Sequence, residues 1–424
     1  MKYAVVTFGC RVNQADSLQI EDALRARGGV SSSVEDAELV VVNTCSVTAS
    51  ADQAARQTIR RVARVNAAVK VVVTGCYATR RPDEAGSLPN VMRVVSNIDK
   101  DSLIDSMADT VEMTTEMTTA ARAGDGPCGS TLAPGVAGRT ALTLRVQTGC
   151  EERCSSCIIP STRGANRSRP VAAVLDQVEH AAKAGYKEIA ITGVHLGSYG
   201  RDLDSPSSLL QLLTALSRVD APILFRISSL EPMDCSDAIV DLVASSSRLA
   251  PHLHLPLQHG SDRMLHAMRR PYTNRYYRRL VERIGTLMPH ASIGSDIIVG
   301  FPGEDPEEFA EMQHALDGLP LTYLHVFPFS DRPGTAAAAL HPKVDGRVVR
   351  ARAAAIRDRA TALSRRFRES QIGSTLRALT VDDGQSVVTG NYLKLRLDAR
   401  QPRNEWVDVR VTSERDATLV GVAA

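Results

Sequence analysis

Residues Gly149–Cys157 read GCEERCSSC and place cysteines at 150, 154 and 157. They follow ALTLRVQT, residues 141–148, whose alternating apolar positions predict a β-strand. Three thiols at the end of a strand leave two readings open. In one, the three hold a four-iron cluster, which usually takes four cysteine ligands, and one iron stays open to another molecule. In the other, they bind zinc with a distant fourth ligand: Cys128, Cys235 or a histidine. The spacing CxxxCxxC favours the cluster, because structural zinc prefers paired CxxC units. A redox dithiol at Cys154 and Cys157 lacks thioredoxin-like surroundings.

Downstream, five more strand-like runs each lead into a loop and usually a helix. They are EIAITGVHLGSYG, LFRISSLEP, HLHLPLQHGS, SIGSDIIVGFPGE and YLHVFPFSDRPGT. With the first strand they make six β/α units, which predict a partial, open barrel rather than the eightfold one. Such barrels build their site at the carboxyl ends of the strands, where the cysteines stand here. His252 and His254 alternate along PHLHLP. A metal pair is one reading, and period-two packing in the barrel wall is the favoured one.

Upstream, residues 1–105 hold the apolar runs KYAVVTF, ELVVVNT and VKVVVTG, with helical spacing over Ala54–Val65 between the last two. The alternation predicts a small α/β domain with a parallel sheet. Each run delivers one cysteine just past its end: Cys10, Cys45 and Cys76. Open parallel sheets bind ligands at that edge. A buried cysteine also serves as a small apolar side chain. Three from three strands, each beside Gly or Thr, favour a second three-thiol set.

Residues 106–138 are rich in Thr, Ala, Gly and Pro and read as a linker. The barrel is expected over 139–369, ending in an Arg-rich helix from Asp345 to Glu369. Residues 370–424 read as short alternating strands of a small β-barrel.

The 424 residues, 43% hydrophobic, have room for roughly two to three domains. At 4% aromatic, their cores must be built from Ala, Val, Leu and Ile. A net charge of +2 neither demands nor excludes a nucleic-acid partner. No apolar run reaches the ~18 residues of a membrane span. The opening MKYAVVTFGC reads as a strand rather than a leader. Eight cysteines are too few for a disulfide scaffold and fit a reducing, cytoplasmic compartment.

CxxxCxxC after the first strand of a six-unit barrel resembles the radical S-adenosylmethionine (SAM) superfamily. Over nearly the whole chain the sequence is similar to one branch of it, the methylthiotransferases. TFGCRVNQADS resembles the family's opening Gly-Cys-x-x-Asn-x-x-(Asp/Glu)-Ser motif, and VVNTCSVT and VVVTGCYA its second and third cysteine motifs. GCEERCSSCIIPSTRGANRSRP resembles its radical motif with the Ile-Ile-Pro and Arg-Gly tail. One departure is LQHGSD, where the family pattern has Ser in place of His259.

The resemblance implies two [4Fe-4S] clusters and SAM. Cys150, Cys154 and Cys157 would hold the cluster whose open iron takes SAM, which is cleaved to a carbon radical. Cys10, Cys45 and Cys76 would hold the second, associated with the sulfur to be transferred. SAM contacts are expected from Gly193, Ser229, Glu231, Gln258, Asp296 and Gly300 at the strand ends. No catalytic residue is assigned beyond the clusters, and Cys128 and Cys235 have no assigned role.

The family acts on an adenosine beside the tRNA anticodon or on an aspartate of a ribosomal protein. Arg11-Val12-Asn13 resembles the branch acting on N6-threonylcarbamoyladenosine, with isopentenyl-adenosine or the aspartate as alternatives. The implied partners are a tRNA anticodon stem-loop and a flavodoxin- or ferredoxin-type electron donor, with no membrane. Eight Arg between Arg347 and Arg368, and four basic residues in KLRLDARQPR, suit RNA phosphates. The tail is similar to the small RNA-binding barrel called TRAM that ends these enzymes. Rival readings are a protein-modifying radical enzyme, a non-catalytic iron–sulfur RNA-binding protein and a zinc-stabilised binding protein.

Overall fold

The computed structural model describes residues 1–107, 134 and 140–424. Most of the expected linker, and Cys128 with it, lies outside the described residues.

The N-terminal sheet is parallel and runs in the order β2-β1-β3-β4-β5, with β1 Lys2–Thr7, β2 Val30–Ser31, β3 Leu39–Thr44, β4 Lys70–Gly75 and β5 Val91–Val95. Every residue of β3 is buried, so its Val run packs on both faces, as a central parallel strand must. Helices α1 (Arg11–Ala26) and α2 (Ala49–Val65) lie on opposite faces and seal two separate cores. Thr48 caps α2 by accepting from the Ala51 N–H at 3.2 Å. Met107, at the start of the expected linker, is fully buried in the core beneath α1.

The second unit supplies the expected six strands. They are β6 Leu142–Arg145, β9 Glu188–Thr192, β10 Leu224–Ile227, β11 His252–His254, β12 Ser292–Val299 and β13 Tyr323–Pro328. They pair in parallel as β6-β9-β10 and β11-β12-β13. A single bridge from Phe225 to Leu249 joins the halves into an open barrel. One continuous core of Leu, Val and Ile fills the space between strands and helices. Just past β6, the short strands β7 (Gln147–Thr148) and β8 (Arg167–Ser168) pair antiparallel and brace the two ends of the segment that carries the cysteine triplet. The Arg-rich helix runs over Gly346–Ser370, capped by Asp345.

The chain ends in a closed barrel, β14-β15-β16-β18-β17, of β14 Thr375–Val381, β15 Ser386–Thr389, β16 Lys394–Leu397, β17 Trp406–Arg415 and β18 Thr418–Ala423. Arg226 docks it: buried on β10, its Nε donates to Glu188 Oε1 at 2.9 Å and its Nη1 to Gly390 O at 2.9 Å.

Candidate active site

Cys10, Cys45 and Cys76 follow β1, β3 and β4, three neighbouring strands. Strands about 4.8 Å apart bring the three loops together. All three thiols are free and open into one cavity. Gly9 permits this approach. Its φ is +101°, and a Cβ there would lie 2.7 Å from Cys45 Sγ. Burial, with Cys76 and Cys10 close by, pushes the Cys45 thiol up to about 11, against backbone N–H groups of Val47 and Ser46. Asn97 Nδ2 donates toward Cys76 Sγ at 3.6 Å and to Thr162 O at 2.9 Å, tying this thiol to the barrel domain.

Cys150, Cys154 and Cys157 occupy the loop after β7. Gly149 starts it at φ +76°, where a Cβ would fall 1.8 Å from Ala165 O. Backbone hydrogen bonds fix the loop: Cys157 N to Cys154 O at 3.2 Å, Cys150 N to Gly164 O at 3.0 Å, and Ser155 N to Met268 O at 3.1 Å. The Ile159 N–H donates to Cys157 Sγ at 3.4 Å. Burial pushes the Cys157 thiol up to about 11. A bound iron reverses that effect, since its charge strips the proton from a coordinating thiol. Each set offers three converging thiols free of disulfides, with N–H groups turned toward sulfur. That donor chemistry fits an iron–sulfur cluster with one open iron.

Buried charges surround the second set. Arg270 Nη1 donates to both carboxylate oxygens of Glu231, at 2.9 and 3.0 Å, and both residues act on Cys154. His195 Nε2 lies 2.8 Å from Asp234 Oδ2. Burial disfavours the His195 charge, but Asp234 and Cys150 outweigh it and hold the imidazole up to about 10.

A cavity of about 730 Å³ joins all three parts of the chain. Cys10, Cys45 and Cys76 line one side, and Ile159 and Arg163, just after the second triplet, line another. Tyr392 and Lys394 of the C-terminal barrel close it. The expected SAM contacts divide in this cavity's neighbourhood. Gly193 and Ser229, just past β9 and β10, line it. Asp296 does not line it but accepts from two residues that do, His254 Nε2 at 2.9 Å and His325 Nδ1 at 3.1 Å. Burial works to raise the Asp296 carboxyl, but the two imidazoles hold it at about 2. Glu231 stands at Cys154 instead. Gln258 hydrogen-bonds through its backbone to Asp296 and Ile298. Gly300 faces away, with its Cα against Val349 of the Arg-rich helix.

His252 and His254 are barrel-wall residues that also line the cavity, and Tyr323 Oη bridges them at 3.0 and 2.9 Å. His254, Asp296 and His325 form a compact group with metal-ligand chemistry, in which His254 Nε2 and His325 Nδ1 both bind the carboxylate. His259 is buried 3.4 Å from Glu304, which also binds Arg352.

Sequence reasoning missed the seam between the two cysteine domains. Asp16 is buried and takes Lys100 Nζ at 3.0 Å, Arg163 Nη2 at 3.1 Å and Arg145. Asn13 Nδ2 donates to Phe8 O at 2.7 Å and Thr44 O at 3.0 Å, stitching the first two cysteine loops together. The signal was present: Asn13 and Asp16 are the polar positions of the opening motif, and Arg163 is the Arg of the radical motif's tail.

A family model described as uncharacterized protein family UPF0004 matches residues 2–96, and one described as the radical SAM superfamily matches 144–316. In fold, the chain is similar to the radical SAM methyltransferase TsrM from Kitasatospora setae, solved with cobalamin and a [4Fe-4S] cluster bound. The TM-score is 0.56 over 79% of this chain and 76% of that one, at 17% identity. It is 31% identical to a tRNA-2-methylthio-N(6)-dimethylallyladenosine synthase of Streptomyces avermitilis, over 96% of this chain and 80% of the relative. It is 35% identical to the threonylcarbamoyladenosine tRNA methylthiotransferase MtaB of Aquifex aeolicus, over 97% of this chain and 100% of the relative. That end-to-end match, over both cysteine domains and the terminal barrel, makes the chain a member of the radical SAM methylthiotransferase family.

Proposed function

We propose that the protein adds a methylthio group to C2 of N6-threonylcarbamoyladenosine beside the anticodon of tRNA. One observation carries this reading: the loops of Cys10, Cys45 and Cys76 and the segment just after the Cys150 triplet border a single cavity that the terminal barrel closes. The higher identity to the threonylcarbamoyladenosine enzyme, 35% against 31%, favours this nucleoside over the dimethylallyl one.

Two [4Fe-4S] clusters and SAM supply the electron, the carbon radical that opens a C–H bond, and the methyl group. Cys150, Cys154 and Cys157 are the proposed ligands of the cluster that binds SAM, and Cys10, Cys45 and Cys76 those of the other. Gly193 and Ser229 would border the SAM molecule from the strand ends, and Glu231 would hold Arg270 against Cys154. Asp16, Asn13 and Asn97 fix the distance between the two sets. On the sulfur side Cys45 and Cys76 are 7% and 3% exposed, while Cys10 is the exposed thiol of the set.

The anticodon stem-loop is the proposed docking partner. Exposed Arg365 and Arg366, just before the cavity-lining Phe367, suit the phosphates of the stem-loop. The proposed electron donor is a flavodoxin or ferredoxin, and the proposed compartment is the cytoplasm. Among the described residues no helix is long and apolar enough to cross a membrane.

Mass spectrometry of tRNA nucleosides from cells with and without the gene tests the reading. Loss of the methylthio mark on threonylcarbamoyladenosine is expected. Loss on isopentenyladenosine would correct the nucleoside, and unchanged tRNA would overturn the reading.

A further inference from the structure

Among the described residues, the cavity holds one guanidinium that no carboxylate answers. Of the cavity-lining cations, Arg163 is paired with Asp16, Arg368 with Glu414 at 2.8 Å and Lys394 with Asp382 at 2.8 Å. His254 and His325 share Asp296. Arg11, half-buried and next to Cys10, donates its Nη2 to the neutral Tyr392 hydroxyl at 2.8 Å and forms no ion pair with a described carboxylate. Tyr392 is itself held between two guanidiniums, Arg11 at 5.5 Å and Arg226 at 4.6 Å from its ring centre. Arg226 is spent on Glu188 and the Gly390 carbonyl, so it serves as a fixed prop. The field at this end of the cavity is positive. Burial first, and then Arg226 and Arg11, hold His252 well below its ordinary value and keep it neutral.

A threonylcarbamoyl group carries a free carboxylate, and an isopentenyl group carries none. We propose that Arg11, steadied by Tyr392 of the terminal barrel, binds the threonyl carboxylate and so selects the N6 substituent. The inference rests on the proposed function. The planar guanidinium fork matches a carboxylate in two parallel hydrogen bonds, which a lysine cannot do. Its place beside Cys10 also fits. C2 and N6 lie on the same side of the adenine ring system, so a base presenting C2 to the sulfur-side loops turns its N6 arm toward their neighbours. Because Tyr392 reaches in from the terminal barrel, the pocket is complete only when that barrel is docked.

The test uses the reconstituted full-length enzyme and two anticodon stem-loops that differ in one group: the threonyl carboxylate is free in one and a primary amide in the other. The readout is the ratio of kcat/KM for acid over amide, taken within one preparation so that partial cluster loading cancels. Wild-type enzyme should favour the acid by about tenfold or more. In Arg11→Met the ratio should fall to near one, and in Arg11→Lys and Tyr392→Phe to intermediate values. If a variant loads no cluster, the same ratio is read from Kd by fluorescence anisotropy, which needs no turnover.

A ratio that survives Arg11→Met overturns the inference. So does an equal loss on both stem-loops, which would mark Arg11 as a phosphate contact. Wild-type turnover of an isopentenyladenosine stem-loop alone overturns the proposed nucleoside and the inference together.

Discussion

Arg163 Nη2 lies 3.1 Å from Asp16 Oδ2, so the tail of the second cysteine motif is ion-paired with the first cysteine motif across 147 residues of chain. The pair sits in a dry seam, with side chains 2% and 0% exposed. Burial alone would raise the Asp16 carboxyl. Lys100, Arg163 and Arg145 together hold it well below the usual carboxylate range. Two cluster domains that must work on one substrate are thereby locked at one spacing.

Asp16→Asn should be among the most damaging single changes outside the cysteines. It leaves three cations around a neutral amide, and breaking a buried pair costs about 3–5 kcal/mol. Thermal unfolding reads the loss, and adding Lys100→Met should restore part of it by removing one uncompensated charge. The pH sign follows from the depressed carboxyl. Its contribution is fully present above the ordinary carboxylate value, about 4, and fades as pH falls toward the lower folded value. Wild-type stability from this seam should therefore be level from neutral pH to about 5, and Asp16→Asn should flatten the acid limb.

The two glycines that start the cysteine loops should fail separately. Gly9→Ala puts a methyl 2.7 Å from Cys45 Sγ at a φ of +101°, and Gly149→Ala puts one 1.8 Å from Ala165 O. Each should remove one cluster, leaving about four of about eight irons after reconstitution. Gly9→Ala should still form 5′-deoxyadenosine from SAM, and Gly149→Ala should not. Iron assays and product chromatography separate them; full iron content in either would refute the clash.

Ligand substitution gives the matching functional split. Cys154→Ala should abolish SAM cleavage. Cys45→Ala should keep it and lose methylthiolation. A Cys45→Ala enzyme that makes full product would end the assignment of two clusters.

Much of this was legible in the sequence, because strands announce themselves by apolar runs. All six barrel strands lie where LTLR, EIAIT, LFRI, HLH, SIGSDIIV and YLHVFP stand. The three strands that carry the N-terminal cysteines were equally plain. The short edge strands β2 and β5, and the final β18, were not, because Val30–Ser31 and Thr418–Ala423 have too little pattern. Asp16, Asn97 and Arg163 escaped for a different reason. Their roles come from partners far away in the chain, and no local period encodes that. Gly300 shows the converse. A glycine at a strand end invites a ligand reading, and only packing reveals Val349 against it.

Arg226 is the pin between barrel domain and terminal barrel, and its loss should show as undocking. The side chain is fully buried, bound to Glu188 at 2.9 Å and to Gly390 O at 2.9 Å. Arg226→Met strands the Glu188 carboxylate in the core and should cost about 3–5 kcal/mol. It also frees the Thr389–Leu393 turn, so limited proteolysis should cut near residues 371–374 and release the terminal barrel sooner than in wild type. The double variant Arg226→Met, Glu188→Leu separates the two effects. Replacing a buried ion pair by apolar side chains is often neutral, so global stability should recover. The Gly390 carbonyl still lacks its donor, so the early cut should persist. If the double variant restored both, the carbonyl contact would have no part in docking, and the closing of the cavity by Tyr392 would have to rest on other contacts.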